Sequence, residues 1–139
     1  MKHLPALLVV LPLFSAALMP FIAALTPKFA RLCTLIVMVA VHIGAWLTLK
    51  QVLDVGAWNY AFGGWPAPFG IEYVVDALSG SLVVLISLLA ILTTIYSQGL
   101  RQPNTTLRSG VFEALFLLLL AGLLGIVLTG DMFNLYVFI

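Results

Sequence analysis

Four stretches of this chain run for about the width of a bilayer with almost no charge. Leu4 to Thr26, Leu32 to Leu49 and Ala77 to Leu100 contain no Asp, Glu, Lys or Arg, and Gly110 to Leu128 contains only Glu113. Hydrocarbon offers no partners to a bare backbone, so a segment crossing it must satisfy its own N–H and C=O groups, which a helix does. About 20 residues rising about 1.5 Å each span the core. Composition excludes the alternative of four buried helices in a water-soluble domain. With 63% hydrophobic and 8% charged residues and a mean hydropathy of +1.21, too little polar surface exists to cover such a domain. The chain is therefore expected to be all-α and integral to a membrane, with four transmembrane helices, the start of a fifth, and a surface β-hairpin or loop between helices 2 and 3. Six Lys/Arg against five Asp/Glu give a net charge of +1, which excludes the basic field that nucleic-acid binding requires.

In chain order, Pro5 suits the first turn of helix 1, Pro20 lies near its far end, and Pro12 falls inside, where it frees a carbonyl and is expected to kink the helix. A secretory signal peptide is the rival reading of this stretch, because Met1-Lys2-His3 is a small basic start and Ser15-Ala16-Ala17 are small. The apolar run is long for a signal sequence, and a second span follows at once. Pro27 to Arg31 reads as a short basic turn, making helices 1 and 2 an antiparallel hairpin. The single cysteine, Cys33, lies in an apolar run, has no internal partner, and reads as a small buried hydrophobe.

From Gln51 to Asp76 the composition turns to Gly, Pro, aromatic and acidic residues. Trp58, Tyr60 and Phe62 alternate with smaller neighbours before Gly63-Gly64, and Phe69, Ile71 and Tyr73 alternate after it. Period-two spacing about a Gly-Gly break reads as a β-hairpin on the membrane surface with its aromatics at headgroup level. Pro66 and Pro68, which donate no ladder bonds, keep an irregular interfacial loop open as the alternative. Helix 3 follows with Asp76 as its N-cap, then a polar loop from Arg101 to Ser109, then helix 4 with Glu113 in its first turns. Thr129 or Asp131 can cap the start of helix 5, of which only the opening turns precede Ile139, so the span is expected to be completed elsewhere. Placing Lys28, Arg31, Arg101 and Arg108 in the cytoplasm leaves Lys2 and Lys50 outside, and the positive-inside rule then sets the hairpin and the Asp131 corner on the outer face.

No phosphate-binding glycine loop, no Cys/His set at metal-ligand spacing and no nucleophile beside a base occurs, so neither metal, cofactor nor catalytic residues are assigned. What remains is ion-path chemistry at His42, Glu113, Asp131 and Asn134. His42 lies mid-helix, where an imidazole either relays protons or hydrogen-bonds a neighbouring helix as the neutral ring. Glu113 either complements the positive end of helix 4 or faces a path through the bundle. Asp131 and Asn134, three apart, either line a polar mouth or, for Asp131, cap helix 5. Glu72 and Asp76 flank the hairpin exit and read as capping and solvation. Gly122-Leu-Leu-Gly125 with Ala121 offers a small surface for another helix.

Three stretches carry a resemblance to a known family. Gly64-Trp-Pro-Ala-Pro-Phe-Gly-Ile71 with Val75-Asp-Ala-Leu-Ser79, then Leu115 to Gly122, then Leu128-Thr-Gly-Asp-Met-Phe-Asn-Leu-Tyr-Val-Phe138, are similar to the D-type subunit of multisubunit Mrp-type cation/proton antiporters. That family is related to antiporter-like membrane subunits of respiratory complex I and of membrane-bound hydrogenases. The resemblance covers nearly all 139 residues but only the N-terminal part of the family's longer chain. It implies inverted repeats, an outer-face hairpin after helix 2, and broken helices near the midplane. It also implies a glutamate just after the Tyr-Val-Phe run, paired with a later lysine; Ile139 stands just before that place. Of the family's functional helix only Asp131, Asn134 and the apolar lead-in carry over.

The expected function is that of the N-terminal portion of a multisubunit Na+/H+ or redox-coupled proton-translocating antiporter, in the cell's inner (plasma) membrane. Its partners would be the other subunits, the missing C-terminal part of the same subunit, and lipid. The alternative is a non-conducting accessory subunit packed beside a complete antiporter-like chain. A third reading, a quinone-facing subunit of a membrane enzyme, has only the aromatic loop behind it.

Overall fold

The computed structural model describes residues 3–64, 70–100 and 106–139. Its elements in order are α1 (Leu4–Leu25), α2 (Pro27–Val55), β1 (Trp58–Ala61), a short 3-10 turn (Phe62–Gly64), β2 (Glu72–Val75), α3 (Ala77–Leu100), α4 (Thr106–Leu128) and α5 (Met132–Phe138). Four of the helices are long and apolar enough to cross a membrane. The chain is thus an all-α multi-pass membrane protein with a small antiparallel hairpin between α2 and α3.

The side chains sort as they do in a lipid-facing bundle. Phe14, Phe21, Ile36, Ile43, Leu89 and Leu115 point outward, whereas Ala16, Ala23, Ala30 and Ala45 are buried between helices. With no hydrophobic drive between helices inside lipid, close packing of small residues does the work. α4 packs most extensively on α1 rather than on its sequence neighbour α3, and α3 lies against α2. Gly110 makes the α1–α4 approach possible, because a methyl there would lie 2.5 Å from Ala23 Cβ. Buried hydroxyls return their protons to the preceding turn: Thr34 Oγ1 donates to the Ala30 carbonyl, Thr48 to Gly44 and Thr94 to Ala90, at 2.8 to 3.1 Å.

Several boundaries differ from the expected ones. Pro27 to Arg31 is not a turn; α2 begins at Pro27, a residue suited to a first helical position, and only Thr26 separates it from α1. Lys28 and Arg31 therefore belong to the first turns of α2. α1 remains one helix through Pro12 and Pro20. α4 begins at Thr106, not Gly110, which takes Arg108 out of the loop and into the helix. Lys2, Arg101, Trp65, Pro66, Pro68 and Phe69 lie outside the described residues.

The hairpin has the expected place and a definite register, with Trp58 opposite Val75, Asn59 opposite Val74, Tyr60 opposite Tyr73 and Ala61 opposite Glu72. Gly63 and Gly64 take the positive φ values of 65° and 77° that let the chain leave β1. Its aromatics do not all sit as exposed headgroup anchors. Tyr73 is only 3% exposed, and Trp58 is half-buried.

Candidate functional site

The polar residues of the membrane region form three separate places. The first is at the hairpin end of the bundle, where α4 gives way to α5. Asp131 caps α5 as expected, its carboxylate accepting from the Phe133 N–H at 3.2 Å. Thr129 does not cap; its hydroxyl donates to the Asp131 carbonyl at 3.3 Å and accepts from Asn134 Nδ2 at 3.0 Å. Asn134 faces inward at 4% exposure. Burial pushes the Tyr73 phenol up to about 12, against the smaller opposing effect of Asn134. β2 is tied to the same corner through backbone: Tyr73 bridges Thr129, and the Gly130 N–H donates to the Glu72 carbonyl at 2.9 Å. Any side chain at Gly130 would meet Val74, so glycine is what lets the strand approach.

α5 lies on the small surface that α4 presents. A methyl at Gly125 would sit 2.5 Å from the Phe138 ring, and one at Gly122 3.4 Å from the Phe138 carbonyl. The helix expected to use Gly122 and Gly125 is thus α5 of the same chain.

The second place is His42. Its ring accepts the Trp46 indole N–H at Nε2, 3.2 Å away, and its Nδ1 lies 2.8 Å from Ser87 Oγ on α3. An acceptor at Nε2 leaves the proton on Nδ1, so Nδ1–H donates to Ser87, whose own hydroxyl donates to the Val84 carbonyl at 2.9 Å. α2 is longer than expected, which sets His42 about 20 Å from either end by helical rise.

The third is Glu113. Because α4 starts at Thr106, Glu113 is two turns in, about 10 Å from the helix start, and is 1% exposed. That corrects the expectation of a carboxylate in the first turns serving the helix dipole, which falls off within one turn. It stands about 24 Å along α4 from Thr129. The structure therefore unites Asp131 with Asn134 but brings neither Glu113 nor His42 to them.

Asp76 caps α3 reciprocally. Its carboxylate accepts the Ser79 N–H at 2.7 Å while the Ser79 hydroxyl accepts the Asp76 N–H at 2.9 Å. The Ser79 backbone N–H, then the Ser79 hydroxyl, hold the carboxyl below its ordinary value of 3.8. Tyr73 is not singled out by the sequence because alternation marks it as a surface aromatic; its burial comes from the fold, which bridges it to Thr129 and sets the Phe62 ring edge-on to it. Ser87 and Trp46, the latter one turn beyond His42, are not singled out by the sequence as its partners. Among the described residues no group of three or more His, Cys, Asp or Glu could hold a metal ion.

No protein-family model matches the chain. It is 42% identical over 138 residues to the N subunit of the NADH-quinone oxidoreductase of Desulforudis audaxviator, covering 99% of this chain and 28% of that one. To the D subunit of the Na(+)/H(+) antiporter of Bacillus subtilis it is 31% identical over 99% of its length and 27% of the relative's. The D subunit of a probable K(+)/H(+) antiporter of Rhizobium meliloti matches at 47% over 60% of this chain and 15% of its own. Among solved structures it superposes on a chain of the membrane-bound sulfane sulfur reductase, an archaeal respiratory membrane complex, with a TM-score of 0.88 and 28% identity, over 98% of this chain and 28% of that one. The resemblance read from the motifs is borne out, since these relatives are D subunits of antiporters and an N subunit of the complex I type. The chain spans under a third of each relative's length.

Proposed function

From this kinship with antiporter-like subunits, we propose that the chain works as part of a longer subunit in a multisubunit complex of the cell's plasma membrane. The complex moves protons across the bilayer, coupled either to Na+ or K+ exchange or to a redox partner. The observation that carries the reading is Glu113, a carboxyl 1% exposed, two turns into α4 and within its candidate membrane span Gly110–Leu128. An ionisable group at that depth is costly, and where it occurs it marks an ion or proton route. Asp131 and Asn134 line the polar mouth at the hairpin end. His42 supplies a further titratable site on the α2–α3 face. The hairpin end is the outer one, because Lys28 and Arg31 lie at the opposite end of α2.

One observation favours the accessory alternative. The His42 ring is engaged on both nitrogens, by Ser87 and Trp46, and neither partner belongs to the Glu113 position or to the Asp131 corner. A subunit without a continuous route would support a neighbouring antiporter-like chain instead.

The test uses the complete subunit in its assembled complex in everted membrane vesicles, following cation-driven discharge of a proton gradient. Glu113→Gln keeps the shape and removes the charge, and is expected to lower transport per assembled complex at least ten-fold. Full transport by Glu113→Gln and His42→Ala together, with normal assembly, would establish the accessory role and reject the conducting one.

A further inference from the structure

We infer that the end of the bundle opposite the hairpin carries a lipid site, in which Arg31 and Lys28 hold the phosphate of an anionic phospholipid. Such a site needs only the membrane placement of the four spans, so it stands or falls apart from any role in transport.

Arg31 Nε is a donor with nothing to give to. It is sealed from solvent and has no hydrogen-bond partner, although the residue as a whole is only partly buried. A guanidinium is all donors and no acceptor, and a buried N–H left unmade costs more than an ordinary hydrogen bond returns. An acceptor from outside this chain would remove that cost.

Depth in the membrane says which acceptor. The 29 residues of α2 rise about 43 Å, more than the ~30 Å of hydrocarbon, so the first turns of the helix stand among lipid headgroups. Lys28, exposed and three residues before Arg31, lies on the same helical face, and Arg31 reaches back over the turn that holds it.

This end of α2 also lacks negative charge. The Thr26 side chain makes no cap, and the first turn contains no acid. Two cations stand instead at the positive end of the helix dipole, where an anion between them would relieve the repulsion. Four of the five carboxylates, Asp54, Glu72, Asp76 and Asp131, lie at the hairpin end, and the fifth, Glu113, is buried in α4. Leu25, Phe29 and Leu32, beside the pair, are exposed and offer acyl chains an apolar wall. A phosphodiester accepts the guanidinium fork through two oxygens while its tails lie along that wall. A free phosphate has the first feature and lacks the second.

The experiment uses the full-length subunit in its purified, delipidated complex, with phosphatidylglycerol, phosphatidylcholine or inorganic phosphate added. Native mass spectrometry counts bound lipid, and thermal unfolding reports stabilisation. Phosphatidylglycerol is expected to bind and to raise the melting temperature, and Arg31→Gln to remove one tightly held molecule by weakening its binding about ten-fold, the scale of a lost charge-assisted hydrogen bond. Arg31→Lys keeps the charge, loses the fork, and should weaken binding about three-fold. Lys50→Gln, at the hairpin end, should change nothing. An unchanged lipid count in Arg31→Gln, or equal weakening by Lys50→Gln, would overturn the site. Inorganic phosphate or phosphatidylcholine stabilising the complex as much as phosphatidylglycerol would overturn the assignment to an anionic lipid. If Arg31→Gln does not assemble, Arg31→Lys decides against Lys50→Gln, and equal binding by those two overturns the inference.

Discussion

Trp46 donates its indole N–H to His42 Nε2 across one turn of α2, and that direction settles where the imidazole carries its proton. Nδ1 must hold it and give it to Ser87 on the next helix. Protonating Nε2 as well would turn an acceptor into a donor facing another donor. A relay through His42 therefore requires the indole to swing away.

Nitrogen NMR of histidine-labelled protein is expected to show His42 as the Nδ1–H tautomer. Trp46→Phe removes the donor at Nε2 and should raise the share of the Nε2–H tautomer. A dominant Nε2–H signal in the unsubstituted protein would contradict this arrangement.

The contact between Phe138 and Gly125 yields a second prediction. Gly125→Ala puts a methyl into the aromatic ring and is expected to destabilise the α4–α5 packing by about 1–3 kcal/mol, the usual cost of overfilling a packed contact. Adding Phe138→Ala should restore part of that loss. Thermal unfolding of the purified complex measures both, and equal melting of Gly125→Ala and the unsubstituted protein would reject the contact.

Asp76 gives a pH dependence. Its carboxyl is held below 3.8, so its contribution is complete above that value and is lost as pH falls through the lower folded value. Asp76→Ala should cost about 1 kcal/mol at neutral pH, as for other N-caps, and the difference from the unsubstituted protein should vanish in strong acid. A difference that persists there would mean the carboxylate is not the source.

Tyr73 titrates the other way. Its folded value of about 12 lies above the ordinary 10.0, so the neutral phenol stabilises the fold below pH 10 and that contribution fades as pH rises through 12. Ultraviolet titration should therefore show one tyrosine ionising about two units late, and Tyr73→Phe should remove that late step. Its survival in the variant would assign it to another residue.

The membrane class, the four spans, the hairpin's position and the Asp76 and Asp131 caps were legible in the sequence because each rests on short-range rules. Uncharged runs of about 20 residues must be helices in lipid, and a capping side chain reaches only two or three residues along its own backbone. The helix starts at Pro27 and Thr106 lie upstream of the apolar runs, because Lys28, Arg31 and Arg108 look like loop residues while the helices extend beyond the apolar zone. Everything that joins distant positions was decided by the tertiary structure: α4 on α1, Phe138 on Gly125, Ser87 on His42, and Tyr73 on Thr129. Hydropathy says that a residue leaves water, but a buried amide or imidazole is satisfied by whichever partner the packing brings within about 3 Å, and that partner is set by helix crossings rather than by neighbours in the chain.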